Sequence, residues 1–570
     1  MTTVEVAGDG PAVESLGAAL TDAGVEVLER ADPLVDSTAD VSVVVAPVTS
    51  DAFQTADERA RELGLPWVAV ELGGLAGVPV TDAAVSGFGP ETGCYDCLRT
   101  RVRANVDQRQ DPAEAPSAAT QRFAGAVAGR RLEAALAGDA PIVGTTVELP
   151  YTERQFLPVP GCSCRDDSRW TLRHADTEHE LDALSRAEAG LDDRLGVVRN
   201  VGEAESFPAP YYLASLTDTS GFSDVTAPQQ AAGVADDWDA AFMKALGESY
   251  ERYAAGTYRA STMTTGTADS VESALDPASF VAPEDATWDA ETDLAWVPAE
   301  NLATGETRQA PAETVVYPPP TRSIRPAVTT GLGLGSTERD ALLSGLYEVV
   351  ERDAAMLSWY STYDPLEVVV EEADAFDVLR RRARSENLDV TALLLTQDID
   401  VPVVAVAVQR DEWPAFALGS SARLDPVDAA VGALEEAVQN WMELRGMGKA
   451  EATDADGAIG RYAGDPAAAR SLTESETAVP LSSVGPETPP TGADELEELV
   501  DRVTDAGLRP YASRLTTPDL DGMGFEAVRA LCPTAQPLFF GESYFGQRAE
   551  SVPDDLGFEP RLDRAHHPFP

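Results

Sequence analysis

The chain has 570 residues, more than one hydrophobic core usually supports, so its length predicts at least two domains. Hydrophobic residues make up 44% of the chain, which excludes a wholly disordered or collagen-like protein. Its 97 acidic and 42 basic residues give a net charge of -55, which excludes nonspecific binding to nucleic acids or to anionic membranes.

The acidic residues are spread along the chain, and only two basic residues, Lys244 and Lys449, are lysines. This composition resembles that of cytosolic proteins from halophiles, where concentrated salt screens a large negative surface. An acidic interaction surface would instead concentrate the charge locally. The sequence has no run of 18 apolar residues and no basic start followed by an apolar stretch. We therefore expect neither a membrane span nor a secretory signal, and we place the protein in the cytoplasm.

The first 80 residues alternate short apolar runs with amphipathic segments. The apolar runs at 4–7, 41–45 and 66–70 predict three strands, and the segments between them, at about 12–24 and 52–63, predict two helices. This order of elements indicates a parallel α/β sheet.

The loop after the first strand reads Gly8-Asp-Gly10-Pro-Ala-Val13. It begins like a dinucleotide-binding fingerprint, but Val13 stands where the third glycine belongs. We favour a structural turn over nucleotide binding at this loop.

Four of the five cysteines form two close pairs. Two residues separate Cys94 from Cys97, and one separates Cys162 from Cys164. Two such pairs can supply four thiolates to one tetrahedral zinc ion, in a closed, structural site. We favour zinc over coincidence and over redox or disulfide use, because a reducing cytosol disfavours disulfides. Cys532 stands alone and is expected to be a small buried apolar residue.

Residues 166–184 form a polar connector from an N-terminal unit, 1–165, into a larger unit, 185–570. A polar helix is expected at about 176–193 and a solvated loop or insertion at about 450–493. The larger unit mixes amphipathic and β-like segments, which indicates an α/β or α+β class. Helices are predicted at about 238–255, 337–358, 374–386 and 426–445, and strands at 368–370, 390–395 and 401–408.

Three of these predicted helices carry polar oxygen ligands at i and i+3, which lie on one helical face. The positions are Glu248 and Glu251, Glu348 and Glu351, and Glu436 and Gln439. Carboxylates in this arrangement repel one another unless a cation or an arginine lies between them. Arg252 and Arg352 directly follow the first two pairs. Oxygen ligands from several helices suit Mg²⁺, whose usual companion is a polyphosphate.

The alternative is that each Glu-x-x-Glu is an ordinary solvated helix face, as expected in so acidic a chain. Three copies, and the glycine-rich approach Thr329-Thr-Gly-Leu-Gly-Leu-Gly335 before the second one, favour a ligand site. No Gly-x4-Gly-Lys-Ser/Thr occurs, so a nucleotide would not be held by a P-loop. The histidines are too few and too peripheral for histidine-centred catalysis; they are His174, His179, His566 and His567.

These helices together resemble the YcaO family, in which such motifs bind ATP and magnesium. The resemblance covers about 185–570, including the C-terminus, where azoline-forming members end in a Pro-x-Pro-x-Pro tail that reaches the active site. Pro568 and Pro570 match that tail, and His566 replaces its first proline. The resemblance implies that Pro568 and Pro570 are catalytic tail residues that order the site. It also implies that ATP and Mg²⁺ are held by Glu248, Glu251, Arg252, Thr330, Glu348, Glu351, Arg352, Glu436 and Gln439.

Two positions depart from the family pattern. The Gly-Lys-Gly that is common near the first glutamate helix reads Ala231-Ala-Gly233 here, and Thr330 stands where many members have asparagine. An alanine cannot replace the charge of a lysine, so the phosphate contacts are expected to differ.

The N-terminal unit resembles the degenerate Rossmann-type, ubiquitin-activating-like (E1-like) domain that is often fused to YcaO in thiazole/oxazole-modified, bacteriocin-type peptide biosynthesis. That domain has lost adenylation and helps to present the precursor peptide. It keeps a structural zinc site, to which Cys94, Cys97, Cys162 and Cys164 correspond. No winged-helix leader-recognition element is visible before the first strand, so we expect a separate leader-recognition protein.

The resemblance implies an ATP-dependent azoline cyclodehydratase, which forms thiazolines or oxazolines from Cys, Ser or Thr of a precursor peptide. The alternatives are a thioamide-forming or macroamidine-forming member, an accessory of ribosomal-protein methylthiolation, and a non-catalytic peptide-binding scaffold. The missing lysine favours the scaffold, whereas the five glutamates disfavour it. Expected partners are the precursor peptide, a flavin dehydrogenase and, because family members are often dimeric, a second copy of the chain.

Overall fold

The structure is a computed structural model that describes residues 2–34, 37–106, 115–165, 169–175, 181–371, 373–455, 457–475 and 477–569. Within these ranges, no helix is both long and apolar enough to cross a membrane.

The N-terminal unit is built on one seven-stranded mixed sheet. Its elements in chain order are β1 (Thr3–Ala7), α1 (Pro11–Asp22), β2 (Glu26–Arg30), β3 (Val41–Pro47), α2 (Ala52–Leu63), β4 (Trp67–Leu72), β5 (Ala83–Phe88), α3 (Tyr95–Asn105), α4 (Ala118–Ala137), β6 (Thr145–Glu148) and β7 (Thr152–Gln155). The strand order is β2-β1-β3-β4-β5-β6-β7. The pairs among β2, β1, β3 and β4 are parallel, and the remaining pairs are antiparallel.

The predicted parallel α/β start is confirmed, with one strand added at the edge. Strand β2 carries no strand signal in the sequence, because Glu26–Arg30 is half-buried at best and has no apolar run. The loop after β1 is a tight turn in which Gly10 adopts a φ of 84°. Helix α4 packs so closely on the start of α1 that a Cβ at Gly125 would lie 2.0 Å from the Ala12 carbonyl oxygen. This close packing supports the interpretation of the loop as a structural turn.

The larger unit contains three sheets and the helices that cover them. Its elements are α5 (Ala183–Glu188), β8 (Val198–Glu205), β9 (Tyr211–Leu216), β10 (Gln230–Val234), α6 (Trp238–Ala255), β11 (Thr264–Gly266), β12 (Leu294–Asn301), β13 (Thr307–Pro311), β14 (Leu332–Gly335), α7 (Glu338–Trp359), β15 (Leu366–Val369), α8 (Asp374–Ser385), β16 (Asp389–Leu394), β17 (Val403–Gln409), β18 (Phe416–Ala422), α9 (Pro426–Met447), α10 (Lys449–Asp454), α11 (Gly457–Gly464), α12 (Ala467–Arg470), β19 (Ala478–Pro480), α13 (Ala493–Asp505), β20 (Tyr511–Arg514), α14 (Pro518–Gly522), β21 (Glu526–Leu531) and α15 (Arg548–Asp555). The strand orders are β10-β9-β8, β11-β12-β20-β21-β14 with β13 beside β12, and β18-β17-β16-β15-β19.

Three strand-helix units within these sheets form a ring. Each of the strands β10, β14 and β18 leads directly into a long helix, α6, α7 or α9, and packs against it. Each helix also contacts the strand of another unit, α6 with β14, α7 with β18 and α9 with β10. A glycine in each strand allows the close approach, because a Cβ there would meet the helix backbone at 2.2–2.3 Å; the glycines are Gly233, Gly333 and Gly419.

The starts of the three helices are fixed by local sequence. The side chains of Asp237, Thr337 and Asp425 cap them by accepting hydrogen bonds from backbone N–H groups in the first turn. The four long helices predicted in this unit are confirmed within two residues at each end.

Two sequence expectations are wrong in this unit. The polar helix expected at 176–193 is present only as the short α5, although residues 176–180 lie outside the described part of the chain. Of the solvated loop or insertion expected at about 450–493, the loop is wrong, because this segment contains α10, α11, α12 and β19, and β19 pairs in parallel with β15. Tyr462 and Leu472 are buried there, so these two apolar side chains anchor a segment whose average composition is polar.

Candidate functional site

One carboxylate contact is repeated in each of the three strand-helix units. A glutamate of the helix accepts a hydrogen bond from a backbone N–H in or just before the strand, 16 or 17 residues earlier in the chain. The three bonds run from Ala232 to Glu248 (2.9 Å), from Gly331 to Glu348 (3.0 Å) and from Ser420 to Glu436 (2.6 Å). This repeated bond turns one carboxylate of each helix toward the ring of strands.

A second carboxylate lies one turn further along α6 and α7. Glu351 is buried and accepts a hydrogen bond from the Ser420 hydroxyl at 2.7 Å. Burial raises the pKa of Glu351 to about 8, and the neighbouring Glu436 and Glu348 add to the effect. Burial likewise raises the pKa of Glu251 to about 8, with a further contribution from Glu348. The electrostatic coupling shows that carboxylates from three helices converge on one region.

The two arginines that follow these glutamates act as braces between carboxylates. The Arg352 guanidinium lies 3.4 Å from Glu351 and 3.6 Å from Glu436, so it bridges α7 and α9. The Arg252 guanidinium donates to Glu248 at 3.2 Å within α6. These contacts compensate part of the negative charge and hold the carboxylate side chains in place.

Two other residues predicted for the ATP site, Gln439 and Thr330, lie near these carboxylates and contact other groups. Gln439 donates its side-chain amide to Glu443 at 3.0 Å. Thr330 directly precedes Gly331 and lines a small cavity together with Arg325. Burial raises the pKa of Glu443, and Glu248 adds to the effect. Glu443 lies one turn beyond Gln439 on α9, and the sequence analysis missed it.

Arg529 is a second missed residue. It is 2% exposed on β21 and donates to the carbonyl oxygens of Thr329 (3.0 Å) and Val328 (2.9 Å). Within the described part of the chain, its Nε atom has no hydrogen-bond partner. Burial and the neighbouring Arg325 lower its pKa to about 9, against the opposing effect of Glu348 and Glu251. An arginine inside the apolar strand Ala527-Val-Arg-Ala-Leu531 was the sequence signal that could have revealed it.

The C-terminal tail is buried beside α7. The indole N–H of Trp359 donates to the Ala565 carbonyl at 2.7 Å. Pro568 and Phe569 are buried and line a cavity of about 310 Å³ into which α9 contributes Glu443. Pro570 lies outside the described residues.

The histidines of this tail are not peripheral, contrary to the sequence expectation. His566 and His567 are both buried, and His567 is fully enclosed. Burial lowers the pKa of His567 to about 3, with smaller effects from His566 and Arg352. His567 is therefore neutral at physiological pH. Its ring lies close enough to Arg352 for the guanidinium charge to contribute to this lowered pKa.

The four paired cysteines come together at the start of α3. The Sγ atoms of Cys94 and Cys97 are 3.7 Å apart, and each lies 3.5 Å from one cysteine of the other pair, Cys162 and Cys164 respectively. All four ligand atoms lie within 4.8 Å of one another, and the thiols are free of disulfides. Tetrahedral zinc-thiolate sites, with a bond length of about 2.3 Å, require sulfur separations of about 3.8 Å. The arrangement therefore fits a zinc ion.

Comparison with known proteins identifies the family. The sequence profile of the YcaO cyclodehydratases, described as ATP- and Mg²⁺-binding, matches residues 232–536, more than half of the chain. An uncharacterized protein of Methanothermobacter thermautotrophicus is 32% identical over 207 residues, which are 34% of this chain and 53% of that protein. The chain thus spans about half the length of this curated relative.

Two solved structures share the fold over almost the whole chain. A heterocyclase in complex with substrate and cofactor has a TM-score of 0.70 and 19% identity, covering 98% of this chain and 83% of its own. The heterocyclase TruD has a TM-score of 0.64 and 19% identity, covering 98% and 82%. The fold and the matched profile agree, so this chain belongs to the YcaO cyclodehydratase family.

Proposed function

We propose that this protein is an ATP-dependent cyclodehydratase that forms azolines in a peptide. One observation carries the proposal: five glutamates from three helices converge on one site, and one glutamate of each helix, Glu248, Glu348 or Glu436, is fixed by a backbone N–H of its own strand-helix unit. The glutamates are Glu248, Glu251, Glu348, Glu351 and Glu436. These hard oxygen ligands would hold Mg²⁺, which neutralises phosphate charge when it is bound.

The reaction needs positioning and charge rather than a covalent nucleophile on the enzyme. The side-chain sulfur or oxygen of Cys, Ser or Thr adds to the carbonyl carbon of the preceding amide. The amide-derived oxygen then takes the γ-phosphoryl group of ATP and releases ADP. Loss of phosphate, with the amide proton, leaves the carbon-nitrogen double bond of the azoline. Amide oxygen is a poor leaving group until it is phosphorylated, so correct placement of ATP beside the peptide supplies the catalysis.

Arg529 and Arg325 are proposed to provide the phosphate contacts that a lysine provides elsewhere in the family. Arg529 is buried, is repelled by Arg325 and has one N–H without a partner in the described ranges, which is an arrangement that a bound anion would stabilise. Arg252 and Arg352 are already engaged with glutamates and are assigned a bracing role. This assignment weakens the argument for a non-catalytic scaffold, because the positive charge missing from the first glutamate helix is present on other elements.

The tail and the N-terminal unit complete the proposal. Pro568 and Phe569 lie beside Glu443, where they can order the site and border the path of the peptide. The N-terminal unit is proposed to be an E1-like domain with a structural zinc ion bound by its four paired cysteines. Its roles would be to present the precursor peptide and to bind a separate leader-recognition protein. A flavin dehydrogenase would oxidise the product.

Calorimetric binding of Mg·AMPPCP tests the nucleotide site. In molar KCl, the wild-type chain is expected to bind at micromolar concentration, and Glu436→Gln is expected to weaken binding by at least about tenfold, or 1.4 kcal/mol. Glu435→Gln is the matched control, since Glu435 is the adjacent residue of α9 and pairs instead with Lys244. Equal affinities for the two variants would contradict the proposed site, and no binding by the folded wild type would reject it.

A further inference from the structure

A fully buried ion pair joins the N-terminal unit to the larger unit. Arg101 of α3 pairs with Asp519 of α14, and neither side chain is exposed to solvent. Removing one partner of a buried ion pair is strongly destabilising, because the other charge remains buried without compensation. The Nε and Nη1 atoms of Arg101 have no hydrogen-bond partner among the residues that the structure describes, so its position depends on a small number of contacts.

Hydrogen bonds connect the four-cysteine site to Arg101. Cys97 precedes it by one turn on the same face of α3. Arg101 donates to the Pro158 carbonyl at 2.9 Å, and the next residue, Val159, donates its N–H to the Cys97 sulfur at 3.2 Å. The N–H of Cys162 in turn donates to the Val159 carbonyl at 3.1 Å. A metal ion that fixed the four sulfurs would therefore fix α3, which carries Arg101, and the segment around Pro158, whose carbonyl oxygen accepts from Arg101.

The same ion pair holds the first glutamate helix. The hydroxyl of Tyr253 on α6 donates to Asp519 at 2.7 Å, on the carboxylate oxygen that also accepts from Arg101. The Arg101 guanidinium also lies 5.8 Å from the centre of the Tyr253 ring. Tyr253 follows Glu251 by two residues, and a helix moves as a rigid element over such a distance. A displacement of Tyr253 therefore displaces the carboxylate ligands of α6.

We propose that Arg101, Asp519 and Tyr253 are positioning residues through which a metal ion in the four-cysteine site strengthens the binding of Mg-ATP by the α6 carboxylates. The inference rests on the ATP site and the zinc site proposed above. It assigns the four-cysteine site a second role beyond stabilising its own unit. The metal ion and the nucleotide then favour the same position of α6, and their binding is coupled reciprocally.

A thermodynamic cycle on the full-length chain tests this coupling. The affinity for Mg·AMPPCP is measured by calorimetry with zinc present and after zinc has been removed by a chelator and dialysis. Zinc removal is expected to weaken nucleotide binding by about tenfold in the wild type, corresponding to about 1.4 kcal/mol. In Tyr253→Phe, which removes only the hydroxyl that contacts Asp519, we expect weaker binding with zinc present and a further loss of at most about twofold on zinc removal.

Tyr250→Phe is the matched control. Tyr250 is also buried on α6, but its hydroxyl donates to the Ala187 carbonyl and not to Asp519. This variant should keep the tenfold effect of zinc. The inference is overturned if zinc removal leaves the affinity of the wild type unchanged, or if Tyr253→Phe retains the full effect of zinc.

Two controls keep the outcome interpretable. Circular dichroism tests whether each zinc-free chain is folded. If the zinc-free chains unfold, the nucleotide affinities of the zinc-loaded variants decide the question. Equal affinities for zinc-loaded Tyr253→Phe and Tyr250→Phe then overturn the inference. Absence of nucleotide binding by the zinc-loaded wild type would instead reject the proposed ATP site itself, which distinguishes the two failures.

Discussion

Binding of Mg·AMPPCP should strengthen steeply between pH 7 and pH 9. The pKa values of Glu251 and Glu351 are raised to about 8 in the absence of a bound cation, so both carboxyls carry a proton at pH 7 for most of the time. A divalent cation binds the ionised form, so each carboxyl must lose its proton when the metal and nucleotide bind.

The size of the effect follows from these pKa values. One pH unit below the pKa, deprotonating a carboxyl costs about 1.4 kcal/mol, which is a factor of ten in affinity. Above pH 9 this cost vanishes. The affinity should therefore rise by about tenfold for each carboxyl that must lose its proton.

Calorimetry at pH 7 in two buffers of different ionisation enthalpy measures the number of protons released. We expect close to two protons for the wild type at pH 7 and almost none at pH 9.5. Glu351→Gln should release one proton fewer and show about a tenfold smaller rise in affinity with pH. Glu435→Gln should behave as the wild type, because Glu435 lies outside the carboxylate cluster and pairs with Lys244. An affinity that is independent of pH, with no proton release, would refute this reasoning.

Three further predictions concern other parts of the chain. Arg529→Met should weaken Mg·AMPPCP binding, measured by calorimetry, by about tenfold to a hundredfold, because a charge-assisted contact is lost. Arg529→Lys should recover part of this loss. Equal affinities for Arg529→Met and the wild type would exclude a phosphate contact. Cys162→Ser should lower the zinc content below one ion per chain, measured by mass spectrometry, and should also lower the melting temperature. Cys532→Ser should leave the zinc content unchanged, because Cys532 lies outside the cluster. Truncation after His567 should abolish azoline formation, measured as loss of water mass from a peptide, because it removes Pro568 and Phe569, which line the cavity beside Glu443. Nucleotide affinity should change by less than about threefold, because the glutamates on α6, α7 and α9 remain in place. Unchanged turnover would remove the tail from the mechanism.

The carboxylate ligands could be recognised from the sequence because they are local. Glu248 and Glu251, like Glu348 and Glu351, are one turn apart on helices whose periodicity and caps are written in adjacent residues. The paired cysteines were recognisable for the same reason, since each pair is separated by one or two residues. The family resemblance, now established over residues 232–536, depended on these short-range patterns.

The residues that the sequence analysis missed act over long separations. Arg529 contacts the Thr329 carbonyl across 200 positions of the chain, and its strand carries no acidic motif. The helices of the segment at 450–493 were missed because a few buried side chains, among them Tyr462, outweigh a polar average composition. A local pattern marks Arg529 only as an arginine within an apolar strand, and it does not identify the distant groups that Arg529 contacts.

The sequence by itself determined the long helices, the glutamates on their faces and the two cysteine pairs, because helix periodicity and ligand spacing are properties of neighbouring residues. Only the tertiary structure decided that three strand-helix units close into a ring and bring carboxylates of α6, α7 and α9 to one site. It also decided that the Arg101–Asp519 pair links the four-cysteine site to that ring. This convergence depends on which apolar surfaces of distant elements pack against each other and exclude water. That choice is made by packing across the whole chain and not by neighbouring residues.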